Sequence, residues 1–393
     1  MANKFFLSVA ALLFTAMTAF GQDSEVYDVN VAEPGTFTAD CVPGDVTRLK
    51  ITGKLDLPND CVELYKLLSE RYIEELDLTG ATFQRCDTVV ELPSTGWYTY
   101  NLTCYEDNSF PVGLFRGLGF GGKLVMPSTL KSVKKDTFYG DDALGRGSEV
   151  VFSEGLDSLG QDAFCFSRIE KITLPKSLKY VGSGCFYNNE YLNQLYLPDD
   201  IEEVDDSLFA NCPELEHVHL PKALKRIQWW SISGIFKTLT IPAGVEYVGC
   251  EALNGCYWLE ELHCLPVVPP ACGHDTPYSE GVPQETFNSI LTDNVILYVP
   301  KGSVEAYRNA DGWNAFKDIR EEADDYEEDL SWYDDGAASI GGVSVCKPAA
   351  TSVDVFTLQG VCVKRNVAPG SWADGLAKGV YIVGGEKCIV RLR

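Results

Sequence analysis

The chain has 393 residues, 57 acidic against 32 basic side chains, and a formal net charge of −25. That excess of carboxylate opposes nucleic-acid binding and adhesion to anionic membranes. Beyond the first twenty residues, no stretch approaches the ~20 consecutive apolar residues that a bilayer-crossing helix needs.

Residues 1–21 carry Lys4, an apolar run from Phe5 to Phe14, and Ala19-Phe20-Gly21 before Gln22. This is the pattern of a secretory signal peptide, too short in its apolar core to serve as an anchor. Residues 22–46 alternate weakly through Val26, Val29 and Val31, turn at Pro34-Gly35, and read as an N-terminal cap over the first coil. Leu49 and Ile51, then Leu76 and Leu78, have the period of two of short strands. Between them Asn59 or Asp60 is expected to cap a packing helix through Cys61, Leu64, Tyr65, Leu68 and Tyr72. Residues 82–123 hold Pro93, Pro111, several glycines and the aromatics Trp97, Tyr98, Tyr100, Tyr105 and Phe110 among others, and read as one degenerate coil with a long loop. Its run Gly117, Gly119, Gly121, Gly122 lacks the preceding strand and following helix of a phosphate loop.

From Leu124 to Cys264 one pattern of about twenty-three residues recurs. Its anchors are Pro127, Ser153, Pro175, Pro198, Pro221 and Pro242. Three before each anchor stand Leu124, Val150, Ile172, Leu195, Val218 and Leu239, and one before stand Met126, Phe152, Leu174, Leu197, Leu220 and Ile241. Three after come Leu130, Leu156, Leu178, Ile201, Leu224 and Val245; six after come Val133, Leu159, Val181, Val204, Ile227 and Val248. Eleven after lies a bulkier column of Phe138, Phe164, Phe186, Phe209, Ile232 and Leu253. One such coil has too little apolar surface to offset its ordering entropy, so coils must stack. The proline closing each strand has no amide to donate to a ladder, which keeps the strands short.

The run Leu195-Tyr196-Leu197-Pro198, followed by Ile201, Val204, Phe209, Cys212 and Leu215, resembles the BspA-like leucine-rich repeats of bacterial surface proteins. The resemblance covers roughly residues 47–320. It implies a right-handed superhelical repeat solenoid with short parallel β-strands on one face and irregular or short helical turns elsewhere. For some members it also implies adhesion and binding to host matrix.

After Cys264, the prolines at 266, 269 and 270 open a second loop, and Val295–Pro300 reads as one last strand. Residues 301–320 form the expected closing coil, with Ser303 capping a short helix and Trp313, Phe316 and Ile319 covering the end. Residues 321–345 begin with nine carboxylates in the fifteen residues from Glu321 to Asp335 and no lysine or arginine, an extended acidic linker by composition. Residues 346–393 form a small C-terminal β domain with hairpin signals at Gln359-Gly360 and Gly384-Gly385. From Gly336 onward seven basic residues face three acidic ones. This tail resembles the sorting domains of type IX secretion cargo, which implies the secretion machinery as a partner.

Fourteen cysteines in an exported chain raise the question of disulfides. Cys86 with Cys104, Cys264 with Cys272 and Cys362 with Cys388 are candidate pairs, whereas Cys212 and Cys256 lie on a repeat column and are expected as buried thiols. No nucleophile elbow, zinc-protease helix or phosphate-loop motif is present, and neither an enzyme nor a cofactor is expected. His219 and His263 lie two strands apart, roughly 9.6 Å by the strand spacing, too far for one metal ion. As strand residues outside the core they are expected to face solvent. The residues that must point away from the core include Lys171, Gln194, Tyr196, His217, His219 and His263, and these are the candidate ligand-binding residues. The resulting expectation is an exported, surface-associated, adhesin-like binding protein that presents this face to a protein or glycan. A secreted hydrolase and a passive envelope component are the alternatives.

Overall fold

The computed structural model describes residues 25–92, 100–104, 106–140, 143–273, 286–287, 290 and 292–333, and the backbone of strands at 353–357, 362–367, 379–383 and 386–390. The expected signal peptide, residues 1–21, lies outside the described residues, as do the side chains of Cys362 and Cys388. The chain divides into two units, 1–334 and 335–393.

The first unit is a parallel-strand solenoid. On one side Tyr27–Val31, Arg48–Leu55, Glu75–Asp77, Lys123–Val125, Glu149–Val151, Lys171–Thr173, Gln194–Tyr196 and His217–His219 are hydrogen-bonded in chain order. Thr238–Ile241, Glu261–Cys264, Ile296–Val299 and Asp318–Glu321 continue in the same manner as a second sheet. Register places like on like, with Leu124 opposite Val150, Val150 opposite Ile172, and Leu195 opposite Val218. A second side is built from two-residue strands such as Ser132–Val133, Ser158–Leu159 and Tyr180–Val181. The third side is laddered through the bulky column itself. Phe138 N donates to Ala163 O at 2.8 Å, Phe164 N to Cys185 O at 2.9 Å and Phe186 N to Leu208 O at 2.8 Å.

Every repeat position assigned inward from the sequence is buried, and the bulky column from Phe138 to Leu253 is fully so. Phe138 stacks on Phe164 at 4.9 Å between ring centroids, and Phe164 on Phe186 at 5.8 Å. The interior is therefore one continuous core rather than a set of separate coil cores. Two residues of most coils, nine and thirteen after the anchor, hold a left-handed conformation, which is how a short coil turns its corners. Nine after, these are Asp136, Asp162, Gly184, Ser207, Trp230 and Glu251; thirteen after, they include Gly140, Phe166, Asn188, Asn211 and Gly255. Asn, Asp and Gly bear that conformation at lowest cost. Fourteen after the anchor, a small polar side chain takes up a carbonyl of the preceding coil. Asn189 Nδ2 donates to Phe164 O at 2.8 Å, Cys212 Sγ to Phe186 O at 3.2 Å and Cys256 Sγ to Ile232 O at 3.5 Å. Burial pushes the Cys212 thiol up to about 12, so it packs as a protonated hydrogen-bond donor.

At the N-terminal end the capping differs from expectation. The helix runs Val62–Glu70, after a wide turn at Leu57–Cys61 whose amides at Asn59 and Asp60 are accepted by Asp56. Asp60 is fully buried and accepts from the amides of Gly35, Phe37 and Asp56 at 2.7–2.8 Å, tying the segment before the first coil to the helix. Tyr72 lies beyond the helix end and is exposed, because the chain turns extended at Arg71. In the first loop Phe110 and Phe115 enter the core against Phe138, at 5.4 and 5.7 Å. The glycines there serve packing, since a Cβ at Gly122 would stand 2.4 Å from the Ile73 carbonyl oxygen. At the closing coil, Ser303 Oγ donates to Val267 O instead of capping Val304–Asn309. Trp313 is buried and donates to Pro270 O at 2.8 Å. No helix among the described residues is long and apolar enough to cross a membrane.

Cys86 and Cys104 are register partners on antiparallel strands Cys86–Glu91 and Asn101–Cys104, yet their thiols donate to Thr88 O and Glu106 O. Cys264 bonds the Tyr307 hydroxyl at 3.3 Å and is not bridged to Cys272. The second unit is a four-stranded antiparallel sheet in the order Cys362–Val367, Val353–Thr357, Gly379–Val383, Glu386–Val390.

Candidate functional site

Along each strand of the main sheet the residue two before the anchor points away from the core. Tyr196 pairs in register with His219, Thr240 with His263, and His263 with Tyr298. Lys171, Gln194 and His217 form the neighbouring column by register, and Lys171 pairs with Glu149 at 3.6 Å. The fold thus brings all six candidate residues onto one outer face, in two columns, and adds Tyr298 to them.

That face is not bare. Residues 322–333, expected as extended linker, turn back after the last strand and lie across it. The alternation is that of an extended segment: Tyr326, Glu328, Leu330 and Trp332 are half-buried while Glu327, Asp329 and Ser331 are exposed. Tyr326 stacks on His263 at 4.1 Å and shares a 2.6 Å hydrogen bond with Thr240 Oγ1. Trp332 stacks on His217 at 5.2 Å, and Tyr333 on Tyr196 at 3.9 Å. Tyr196 also stacks on His219 at 4.4 Å, and His263 on Tyr298 at 4.8 Å. Two carboxylates complete the contact: Glu328 meets His219 Nδ1 at 2.7 Å and Glu322 meets His263 Nδ1.

His219 and His263, expected to face solvent, are therefore buried, at 1 % and 6 % exposure. They lie outside the apolar core but underneath this segment. Opposite Glu328, His219 Nε2 meets Asp199 at 3.0 Å, and Asp199 is held by Lys222 Nζ at 2.8 Å. Burial alone would lower the His219 imidazole, but the hydrogen bonds and charges of Glu328 and Asp199 outweigh it and leave the ring raised above its ordinary value. Asp199 is likewise desolvated, but its bonds from Lys222 and His219 hold it below the usual carboxylate range. Chemically the arrangement is a column of flat rings, Tyr196, His219, His263 and Tyr298, with an imidazole–carboxylate pair at each of the two histidines. It can hold planar and anionic groups. Among the described residues no group of three or more potential ligands is placed to hold a metal ion.

Residue counting misses Glu322, Tyr326, Glu328, Trp332 and Tyr333 because nine carboxylates dominate the composition of that stretch. The signal that finds Tyr326, Glu328 and Trp332 is the period-two spacing they share with Leu330; Glu322 and Tyr333 lie outside it.

Residues 113–235 match the BspA type leucine rich repeat region in six copies. No curated protein matches this chain. Among solved structures, the chain is similar to the leucine-rich repeat protein of T. pallidum, at 22 % identity over 42 % of this chain and 83 % of that one, with a TM-score of 0.34. It is also similar to a leucine rich cell surface protein from Faecalibacterium prausnitzii A2-165, at 14 % identity over 60 % and 72 %, TM-score 0.35. A leucine-rich repeat protein from Bacteroides ovatus ATCC 8483 shows 15 % identity over 63 % and 92 %, TM-score 0.31. The first unit of the chain is thus a parallel-strand solenoid of the leucine-rich-repeat kind, and residues 113–235 within it match the BspA-type repeat.

Proposed function

We propose that this chain is an exported, surface-associated, adhesin-like binding protein without catalytic activity, and that the outer sheet face around Tyr196, His217, His219 and His263 takes a protein ligand. The observation that carries this reading is that the face holds a polypeptide segment through ring stacking and imidazole–carboxylate pairs. Aromatic and imidazole groups on a rigid sheet bind with little ordering cost. The first twenty-one residues and the basic β tail support export, with the tail addressing the secretion machinery.

Screening the purified full chain against immobilised host-matrix proteins and glycans tests the binding. A protein ligand found this way should lose at least tenfold in affinity, about 1.4 kcal/mol, when Tyr196, His217 and His219 are replaced together by Ser, and unchanged affinity would move the site elsewhere. For export, deleting Val353 to Arg393 should leave a folded solenoid that is missing from the cell surface. Surface display that survives the deletion would remove the sorting role.

A further inference from the structure

The segment that covers the face specifies what the face recognises. We infer that Glu322–Tyr333 is an exchangeable cis occupant, and that the face takes in trans an extended acidic polypeptide segment bearing aromatic residues. This rests on the proposed binding role of the same face and names its ligand class and its control.

Three observations carry it. First, the anchoring contacts are made by side chains: the rings of Tyr326, Trp332 and Tyr333 and the carboxylates of Glu322 and Glu328. Glu322 N donates to Val299 O at 2.7 Å at the end of the last ladder, and beyond it the backbone of the segment closes turns on itself, Tyr326 N to Ala323 O and Tyr333 N to Leu330 O. A segment held in this way can leave at the cost of that terminal ladder bond and without opening the core, and so belongs to the low-stability end of local unfolding. Second, the solenoid is closed before the segment begins: Trp313, Phe316 and Ile319 are buried, and Asp318–Glu321 completes the sheet. The segment has no part in closing the core. Third, the receiving groups are selective. His219 and His263 each give Nδ1 to a carboxylate, and Tyr196, His217 and His263 each stack on an incoming ring. A ligand of alternating acidic and aromatic character satisfies both demands; an uncharged saccharide leaves the two imidazoles without their carboxylates.

A tethered occupant competes at an effective concentration in the millimolar range. Its removal should therefore raise the apparent affinity for a free ligand, because the open state is otherwise a minor fraction. The probe is a fluorescein-labelled synthetic peptide with the sequence from Glu321 to Tyr333, titrated into the full chain by fluorescence anisotropy. The variant Tyr326→Ala, Trp332→Ala, Tyr333→Ala should bind it at least tenfold more tightly than the unaltered chain, and adding Tyr196→Ser with His219→Ser should abolish the binding. Should the triple variant not fold, Glu328→Ala alone opens the cover while keeping every ring, and a severalfold gain is expected. The inference is overturned if no opened variant binds the peptide, if opened and unaltered chains bind it equally, or if the opened face takes an oligosaccharide instead. The measurement needs neither the native ligand nor surface display. Peptide binding alongside a failed matrix-protein screen would therefore overturn the adhesin reading and leave this one standing.

Discussion

Between Gln194 and Cys264, inward and outward side chains of the same strands meet different surroundings. Inward, Leu195, Val218, Leu239 and Leu262 contact their own kind one coil away, and the contact repeats with the period of the sequence. Outward, Tyr196, His219, Thr240 and His263 contact residues 59 to 137 positions away, in a segment outside the repeat. A core built by translation is specified locally, because each coil sees nearly the same neighbours. The outer face is specified once, by a single non-repeating segment, and no period encodes that.

The sharpest way to break the interior half of this contrast is Phe186→Ala. Phe186 is fully buried against Phe164, with Phe209 in the next coil, and the stacked coils on both sides hinder collapse around a missing ring. A loss of about 3–5 kcal/mol is expected. Chemical denaturation of the full chain checks it, and a change below about 1 kcal/mol would show that the column is not the core.

Where the period runs out, a polar device takes over. Asp60 has no counterpart in later coils, yet its carboxylate receives three amides, from Gly35, Phe37 and Asp56. Asp60→Ala leaves those donors unpaired in a buried place, and about 2–3 kcal/mol should be lost. The loss should be confined to the N-terminal end. Hydrogen exchange should therefore show deprotection of residues 27–70 while the coils near Phe186 are unchanged. Equal deprotection throughout would mean that the first coils and the middle of the solenoid open together.

Sequence reading reaches the interior almost in full, and the reason is chemical. Apolar residues at fixed offsets from Pro127, Pro175, Pro198, Pro221 and Pro242 leave one arrangement that buries them all. It also places all six candidate residues on one outer face, since alternation along a strand requires it. It does not reach the state of that face. Charge counting from Glu321 to Asp335 predicts self-repulsion and extension, but Glu322 and Glu328 have imidazole partners, and Tyr326, Trp332 and Tyr333 have rings to stack on. The capping of the first helix is lost for a related reason. Asp56 and Asp60 are both good caps by type, and only the fold shows that Asp60 is drawn away to Gly35 and Phe37.

The mildest perturbation that separates the two regions is pH. Around His219 stand Glu328 from the covering segment, Asp199 with Lys222 bonded to it, and the rings of Tyr196 and Tyr333 beyond. Burial opposes the charged ring, but the two carboxylates prevail and its pKa is raised. The open state keeps Asp199 but loses Glu328, so the share of the rise that Glu328 supplies is present in the covered state alone, which is expected to bind the proton more tightly than the open state. The resulting stabilisation of the cover is fully present below the open state's value and is lost as pH rises through the higher value of the covered state. Protection of amides 323–333, corrected for intrinsic exchange at each pH, should therefore decline from mildly acidic to mildly alkaline solution. Protection of the coils around Phe186, which hold no histidine, should stay level. In His219→Asn, which keeps a hydrogen-bonding side chain but cannot titrate, the decline should flatten. A decline of equal steepness in that variant would assign the pH response to groups other than His219.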